Sequence, residues 1–342
     1  MKISRNLKSM SSHAAGSRSR SSLFAAAFGL LSCTLFSTPI LAQTFPSQPV
    51  RLVVPFPPGG GGDVIARQLS KGLTETLGAV VVDYKPGANT IVGAEFVARS
   101  APDGHTLLLA TNSTLGVNPA AYKKLPYDAN KDFAHVARIL SSYHLFMARL
   151  NFPANTVAEL VALAKSKPGS VTYGSTGYAS SGHFAGLLIE SRAGVKLLHV
   201  PYKGASQVIT DLLGDQVDLY PVGPLPVSGL IKSGKLKALA AASDRRFPSM
   251  PDVPTMSEAG YPGFTSGVWY VISARAGTPS AIVDRLNREI YKVFHEPAAK
   301  AAFEADAFTV EPAAPPAAAA RFVSDEIVKW TAIIKEANIK LD

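Results

Sequence analysis

The chain has 342 residues, of which 47% are hydrophobic and 17% charged, and its formal net charge is +9 at pH 7. This length fits one large domain or two medium ones, and the apolar content excludes a chain that is mostly disordered. Glycine and proline are dispersed rather than periodic, which excludes a collagen-like fibre.

The first 42 residues have the composition of a secretory signal peptide. Basic residues come first, an apolar stretch runs from Leu23 to Phe36, and Ala42 supplies the small residue before a cleavage point. The apolar stretch is short and contains serine and threonine, which disfavours a permanent membrane span. We therefore expect residues 1–42 to be removed during export, with cleavage after Ala42. A lipoprotein signal ending at Cys33 is the alternative.

Removal of this segment changes the charge balance. It holds five of the 34 basic residues and none of the 25 acidic ones, so the remaining 300 residues carry a net charge of +4. They contain no run of lysine and arginine with interleaved aromatic residues, which argues against nucleic-acid binding. Cys33 is the single cysteine, so the mature protein has no disulfide and no cysteine metal site.

Apolar runs and amphipathic segments alternate along the mature chain. The pattern predicts strands at 50–55, 80–82, 105–110, 171–174, 197–202, 217–220 and 236–242. It predicts helices at 63–77, 91–99, 156–167, 181–193, 206–213, 279–294 and 317–337, the first with Asp63 as its N-cap. Repeated β-α units predict an α/β protein with largely parallel sheets.

Two extended segments are placed to carry the chain between two lobes. Lys131–Leu150 would lead from the first lobe to the second, and Phe264–Arg275 would lead back. We expect residues 43–143 and 266–342 to form lobe 1, and residues 144–265 to form lobe 2. Two crossings leave a cleft between the lobes, and ligands of open α/β sheets bind where strands end and helices begin.

Four consecutive glycines, Gly59–Gly62, follow the first predicted strand. No Gly-Lys-Ser/Thr follows them, and Val64 stands where a dinucleotide fingerprint needs its third glycine, so neither nucleotide motif is present. Backbone N–H groups in such a turn face an anion readily. A tight turn from strand to helix is the alternative, although four glycines exceed what it needs.

A second polar turn, Tyr173–His183, also follows a strand and opens a helix. Its many hydroxyl donors favour a ligand loop over simple capping. No serine here has the Gly-x-Ser-x-Gly frame of an esterase, and a capping or packing role suits His183 better than general-base catalysis. Lys203 is either a partner for an anion or a solvated lysine at a helix start.

Two further polar turns, Asn89-Thr90 and Thr111–Thr114, lie after other predicted strands. The histidines are scattered, without the spacing of a metal site or a local group of carboxylates. We therefore expect no bound metal and no cofactor.

Several ordered motifs resemble those of one family. They are Val53-Val54-Pro55-Phe56-Pro57-Pro58-Gly59-Gly60, Lys85-Pro86-Gly87-Ala88, Leu125-Pro126-Tyr127-Asp128, His199-Val200-Pro201-Tyr202-Lys203-Gly204 and Pro251-Asp252-Val253-Pro254-Thr255. Together they resemble the Bug family, the substrate-binding components of tripartite tricarboxylate transporters in Gram-negative bacteria. The resemblance implies a two-lobed, flytrap-like periplasmic binding fold of type II, and a receptor rather than an enzyme.

The resemblance also implies a carboxylate ligand in the cleft and delivery to two integral membrane subunits; we expect the receptor itself to be a monomer. Combined with the polar turns above, it places ligand contacts on the loops at the strand ends. The candidate ligand-binding residues are Phe56, Pro58, Gly59, Gly60, Asn89, Thr111, Asn112, Ser175, Thr176, Gly177, Ser180, Ser181, Tyr202, Val222, Gly223 and Trp269.

Three positions depart from the family pattern: Asn89-Thr90 replaces a glycine pair, Val222-Gly223 replaces a polar or acidic residue, and Arg275 replaces a proline. The candidate turns contain few acids, whereas a buried ammonium group needs an acidic partner. We therefore expect a carboxylate without an amino group, either aromatic or a dicarboxylate. An exported α/β hydrolase and a ligand sensor for a signalling partner are the alternative functions.

Overall fold

The structure is a computed structural model that describes residues 45–336. The expected signal peptide lies outside this range. The strands form one sheet of six and one of five. They are β1 (Val50–Val54), β2 (Val80–Tyr84), β3 (Thr106–Thr111), β4 (Phe133–Tyr143), β5 (Leu145–Arg149), β6 (Thr172–Ser175), β7 (Leu198–Pro201), β8 (Leu219–Val222), β9 (Leu236–Ala241), β10 (Gly267–Arg275) and β11 (Phe308–Val310).

Helices cover the two sheets. They are α1 (Gly61–Leu77), α2 (Ile91–Ala98), α3 (Asn118–Ala121), α4 (Val157–Ser166), α5 (Ser181–Ala193), α6 (Ala205–Leu213), α7 (Ser228–Lys232), α8 (Ser280–His295), α9 (Pro297–Ala305) and α10 (Pro316–Glu336), with a π-helical turn at Ser113–Val117. All fourteen elements predicted above have counterparts. Four short elements, α3, α7, α9 and β11, were not predicted because segments of three to nine residues carry little periodicity.

The sheets are mixed, so the expectation of largely parallel sheets was wrong. The strand orders are β11-β4-β10-β3-β1-β2 in the first and β7-β6-β8-β5-β9 in the second. β1 is parallel to β2 and β3, and β6 is parallel to β7 and β8, as β-α units require. The strands beside the crossings, β4, β5 and β10, run antiparallel to their neighbours because the chain enters and leaves each sheet there.

Each lobe is organised around a sheet that is buried on both faces. In β3, Leu107 and Leu109 join one apolar cluster, while Leu108 and Ala110 join another on the opposite face. All four side chains are fully buried. Helices on both sides of a sheet explain why its strands read as continuous apolar runs.

Hydrogen bonds tie the two crossings together. β4 and β5 are separated only by His144, whose backbone N–H donates to the carbonyl of Ser266, 2.8 Å away, just before β10. The His144 carbonyl accepts from the N–H of Ala242, and the Ser266 N–H donates to the Ala242 carbonyl at 3.0 Å. The lobes are therefore joined by two adjacent, mutually bonded segments, which is the geometry of a hinge.

Among residues 45–336, no helix is both long enough and apolar enough to cross a membrane.

A close contact between α5 and β6 gives a test of this packing. Gly186 on α5 lies against the fully buried ring of Tyr173, and a Cβ at this position would overlap the ring. We expect Gly186→Ala to lower the free energy of unfolding by about 1–3 kcal/mol, because the ring has no space to move. Chemical denaturation measures this change.

Gly229→Ala in α7 is the matched control, since a Cβ there meets nothing within 4 Å. Alanine is a better helix former than glycine, so the control should be neutral or slightly stabilising. Equal effects of the two substitutions would contradict the packing assigned to Gly186.

Candidate ligand-binding site

A cleft with a cavity volume of about 100 Å³ lies between the two lobes. The lobe of the six-stranded sheet contributes the start of α1, the end of β3 and one face of β10. The other lobe contributes the start of α5, the start of α6 and the end of β8. The polar side chains of the lining are Thr111, Ser113, His144, Thr176, Ser181, Tyr220 and Tyr270.

The first helix N-terminus in the cleft belongs to α1. This helix starts at Gly61 with Gly60 as its N-cap, two residues before the predicted start, and no side chain caps it. A glycine cap leaves the first N–H groups of the helix without side-chain acceptors. Gly60, Gly61 and Gly62 all line the cleft.

Asp63 is not the N-cap of α1, contrary to the expectation. It lies inside the first turn, and its carboxylate accepts hydrogen bonds from the N–H of Gly59 at 2.9 Å, from Arg67 at 2.7 Å and from the hydroxyl of Tyr84. Burial alone would raise the pKa of this carboxyl, but these hydrogen bonds outweigh burial and lower it. Asp63 thus shapes the glycine turn from behind and does not line the cleft.

The second helix N-terminus, that of α6, faces the first across the cleft. Its N-cap is Gly204, again without a side-chain cap. A Cβ at Gly204 would lie only 2.9 Å from Cγ of Pro57, and one at Gly60 would lie 3.5 Å from Cβ of Ala205. The two lobes therefore touch here, and glycine at position 204 permits that approach.

The third N-terminus is that of α5, where two neighbouring serines have different roles. The Ser180 hydroxyl caps the helix by accepting from the N–H of His183 at 3.3 Å. Ser181 and Thr176 are among the residues that line the cleft. Gly182 packs closely on the end of β8, since a Cβ there would lie 2.7 Å from the carbonyl oxygen of Pro221.

His144 joins the hinge to this third N-terminus. Its Nδ1 lies 3.0 Å from Oγ of Ser266, and its Nε2 lies 3.2 Å from Oγ of Ser181. Burial lowers the pKa of His144 to about 3, so the ring is neutral at physiological pH. The residue lines the cleft without adding charge to it.

The structure brings seven of the sixteen predicted ligand-binding residues to the cleft. They come from both lobes and from four different turns or strand ends, which parallel and antiparallel pairing bring together. The seven are Phe56, Gly60, Thr111, Thr176, Ser181, Val222 and Gly223.

Two residues of the glycine turn, Pro58 and Gly59, are exposed beside the cleft and do not line it. Gly59 has φ +88° and turns its N–H toward Asp63. Pro57, which was not predicted, lines the cleft instead. The turn thus directs Phe56, Pro57 and Gly60 toward the cleft and leaves Pro58 and Gly59 outside it.

Three residues of the second lobe support the site from behind. Ser175 is fully buried, and its Oγ lies 2.6 Å from Nε2 of His199 and accepts from the N–H of Gly177. The Tyr202 hydroxyl donates to Asp211 at 2.8 Å. Ser175, Gly177 and Tyr202, like the helix cap Ser180, are not among the lining residues.

Asn89, Asn112 and Trp269 also lie outside the lining. The Asn89 amide donates to Oδ1 of Asn118 at 2.7 Å, and the Asn112 amide donates to the carbonyl of Gly267 at 3.0 Å. Trp269 points to the opposite face of β10, where its ring is buried in the core and its Nε1–H donates to Glu326 at 2.8 Å. Its neighbours on β10 face the cleft because side chains alternate along a strand.

His183 has a packing role, and Lys203 is exposed. His183 stacks on His199 with ring centroids 4.1 Å apart, and its Nδ1 accepts from the N–H of Ala179. Burial, and next the neighbouring His199, lower the pKa of His183 to about 3, and burial lowers that of His199 to about 4. Lys203 is not part of the lining.

The fold also brings to the cleft residues from distant positions that no local pattern predicted. The missed side chains include His144 in the hinge, Tyr220 on β8, and Val268 and Tyr270 on β10. The alternation along β10 could have identified Val268 and Tyr270, had the inward face been known. Nothing local marks His144, which enters the site through the crossing of the chain.

The electrostatic potential of the cleft comes from the backbone rather than from charged side chains. Among the described residues the lining contains no lysine, arginine, aspartate or glutamate. Three helix N-termini supply the positive potential, each equivalent to roughly half a positive charge. The remaining lining is apolar or aromatic, with Phe56, Leu225, Val268 and Phe308 among it. Such a cleft is suited to a small anion with a partly apolar body.

Two α/β lobes joined by a double crossing, with a cleft lined from both sides, define a two-lobed solute-binding protein. The solved structure of the periplasmic binding protein BugD matches this chain with a TM-score of 0.83 and 34% identity, over 86% of this chain and 99% of BugD. MatC from Rhodopseudomonas palustris, solved with bound malate, matches with a TM-score of 0.81 and 32% identity, over 85% of this chain and all of MatC.

The sequence comparisons identify the family. The model of the tripartite tricarboxylate transporter family receptor matches residues 65–339. BugT of Bordetella pertussis (strain Tohama I) is 34% identical over 307 residues, which cover 89% of this chain and 94% of BugT. The chain therefore belongs to the receptors of the tripartite tricarboxylate transporter family, and the Bug-family resemblance is confirmed.

The buried histidines predict that acid destabilises the protein. Burial lowers the pKa of His135 and His199 to about 4, and of His144 and His183 to about 3. In the unfolded chain these groups bind protons near pH 6.5, so unfolding takes up protons below that pH. Each histidine then lowers the free energy of unfolding by up to about 1.4 kcal/mol for each pH unit of acidification.

We expect the free energy of unfolding to fall as the pH drops from 7 to 5, measured by urea denaturation at several pH values. This pH range lies above the pH at which carboxyl groups titrate, so the histidines dominate the change in the free energy of unfolding. A free energy of unfolding that stays constant between pH 7 and 5 would contradict the neutral, buried state assigned to these four rings.

Proposed function

We propose that this receptor captures a small organic carboxylate in the cleft between its lobes and delivers it to two integral membrane subunits of a transporter. One observation carries the proposal: three helix N-termini converge on a cleft whose described lining has no charged side chain. Backbone N–H groups at helix starts bind carboxylates without help from lysine or arginine. The family description supports the membrane subunits as partners.

The relatives support a carboxylate as the ligand class. MatC, which is 32% identical, was solved with bound malate, a dicarboxylate. The proposed contacts in this chain are the backbone of Gly60–Gly62, the hydroxyls of Thr111, Thr176 and Ser181, and the apolar side chain of Phe56. Val222 and Gly223 complete the wall at the end of β8.

The two lobes would close on the ligand about the hinge. Lobe 1 comprises residues 43–143 and 266–342, and lobe 2 comprises residues 144–265. The membership of the strands supports these boundaries, because β4 and β10 belong to the six-stranded sheet while β5 and β9 belong to the other. An anion between α1 and α6 bonds to both lobes at once, which favours the closed arrangement.

The ligand would carry no amino group. A buried ammonium needs a carboxylate or several strong acceptors, and the described lining offers no aspartate or glutamate. The nearest acid to the glycine turn, Asp63, already accepts from three donors. Aromatic acids and dicarboxylates both fit the apolar and hydroxyl-rich remainder of the lining.

A hydrolytic activity finds little support in the cleft. Ser181 and His144 form the only serine–histidine contact in the described lining, and the second ring nitrogen of His144 faces Ser266 rather than a carboxylate. A pKa of about 3 makes this ring a weak general base at neutral pH. We therefore propose a receptor without catalytic residues.

The receptor would act in the periplasm after removal of residues 1–42. The basic start, the apolar stretch and Ala42 support export, and BugD is itself a periplasmic binding protein. The mature chain would begin at Gln43.

The ligand class is tested by calorimetry on the mature protein with matched acids: succinate against aspartate, and benzoate against an aminobenzoate. We expect at least one unsubstituted acid to bind and its amino counterpart to bind more weakly. A ligand at 100 times its Kd should add about 2.7 kcal/mol to the free energy of unfolding. Consistently tighter binding of the amino compounds would contradict the ligand class, and binding of neutral solutes alone would contradict the carboxylate receptor.

A pair of threonine variants locates the site. Thr176→Val removes one cleft hydroxyl without changing side-chain shape, and we expect it to weaken binding about threefold to tenfold. Thr74→Val is the control, because Thr74 is exposed toward the far end of α1 and bonds only within its own helix. Equal effects of the two variants would place the ligand elsewhere.

Export is tested by intact-mass analysis of the protein recovered from the periplasm of a Gram-negative host. We expect a single species that begins at Gln43, because cleavage follows Ala42. A lipid-modified N-terminus at Cys33 would instead establish the lipoprotein alternative.

A further inference from the structure

Two tyrosine hydroxyls in the cleft have no hydrogen-bond partner among the described residues. Tyr220 on β8 and Tyr270 on β10 line the cleft from opposite lobes, and their relative exposures are 2% and 6%. Within the described residues neither hydroxyl makes a hydrogen bond. Neither is among the fully enclosed, unpartnered atoms, so both hydroxyls open into the cleft itself.

Other buried tyrosines of this chain are satisfied. The Tyr127 hydroxyl donates to the carbonyl of Thr114 at 2.6 Å, and the Tyr291 hydroxyl donates to that of Arg138 at 3.0 Å. Buried polar groups are almost always hydrogen-bonded, because an unmade bond in a desolvated site costs free energy. Two open hydroxyls in one cleft therefore indicate that the occupant of the cleft is their partner.

The position of Tyr270 separates it from the contact between α1 and α6. On the side of the glycine turn that faces α6, Gly59 and Gly60 approach Ser206 and Ala205. On the other flank, a Cβ at Gly61 would lie 3.4 Å from the Tyr270 hydroxyl and 3.7 Å from Leu225. The Tyr270 hydroxyl thus lies beside the start of α1, on the side that faces Leu225.

We propose that Tyr220 and Tyr270 form a second polar subsite, one hydroxyl from each lobe, for an oxygen-bearing substituent of the ligand beyond its first carboxylate. This inference rests on the proposed function. The two tyrosines would then determine specificity. Acids with a hydroxyl, keto or second carboxyl oxygen within reach of the tyrosine hydroxyls are preferred over plain alkyl or aryl acids.

The chemistry of the pair suits this role. Burial raises the pKa of both phenols, and in Tyr220 the nearby Tyr270 adds to that effect, so both remain protonated at physiological pH. A neutral phenol donates to a carboxylate, carbonyl or hydroxyl oxygen and accepts from a hydroxyl. A plain alkyl chain leaves both groups desolvated and unbonded, which weakens its binding.

The test uses calorimetry with acids that share a carbon chain: butyrate, 3-hydroxybutyrate and succinate, and hexanoate with adipate. We expect the wild-type protein to prefer the oxygenated member of at least one set. Tyr220→Phe and Tyr270→Phe keep the ring and remove the hydroxyl. Each should therefore weaken the binding of the preferred oxygenated acid about tenfold and leave the affinity for the plain acid unchanged.

Tyr261→Phe is the matched control, because Tyr261 packs against the core of the second lobe away from the lining. It should change neither affinity, and thermal unfolding verifies that all three variants fold. Unchanged discrimination in Tyr220→Phe and Tyr270→Phe, or equal weakening of plain and oxygenated acids, overturns the subsite while the receptor function stands. A wild-type protein that binds no carboxylate overturns the proposed function itself.

Discussion

The approach of two uncapped helix N-termini across the cleft is the constraint on which the rest of this structure depends. α1 and α6 both begin at glycine caps, and Gly204 lies so near Pro57 that a side chain would collide. Two positive helix ends that face each other repel, and their first N–H groups lack acceptors. An anion between them would remove both costs, which supports the proposed coupling of lobe closure to anion binding.

The hinge and the lining are both consistent with that proposal. His144 bonds to Ser266 in the returning segment and to Ser181 at the start of α5, so one neutral ring connects both crossings with the third helix N-terminus. A charged ring in this position would add a fixed charge beside the ligand. Its burial keeps the ring neutral, so His144 adds no fixed charge to the cleft.

A lining without charged side chains also affects selectivity. Backbone N–H groups hold a carboxylate in any of several orientations, whereas hydroxyls and aromatic walls distinguish the body of the ligand. In this chain the wall at the end of β8 is Val222-Gly223, and the tyrosines stand on either side of the hinge.

Much of the fold could be read from local patterns. Apolar strands, amphipathic helices and glycine turns depend on neighbouring residues, so β1, α1 and α5 were predicted to within two residues. The polar turns at Gly59–Gly62 and Tyr173–His183 were recognised because hydroxyls and glycines cluster there beyond capping needs. The mixed parallel and antiparallel strand directions were not predicted, because the pairing of β10 with β3 and β4 joins segments more than a hundred residues apart.

The sequence by itself determined the two-lobed α/β class, the polar turns and the family motifs, since these are encoded within short segments. Only the tertiary structure decided which members of each turn face the cleft. Ser181 lines the cleft while Ser180 caps a helix, and Tyr270 faces the cleft while Trp269 is buried in the core. Adjacent residues on a strand or turn point in opposite directions, and which direction is inward depends on what packs against them from distant parts of the chain.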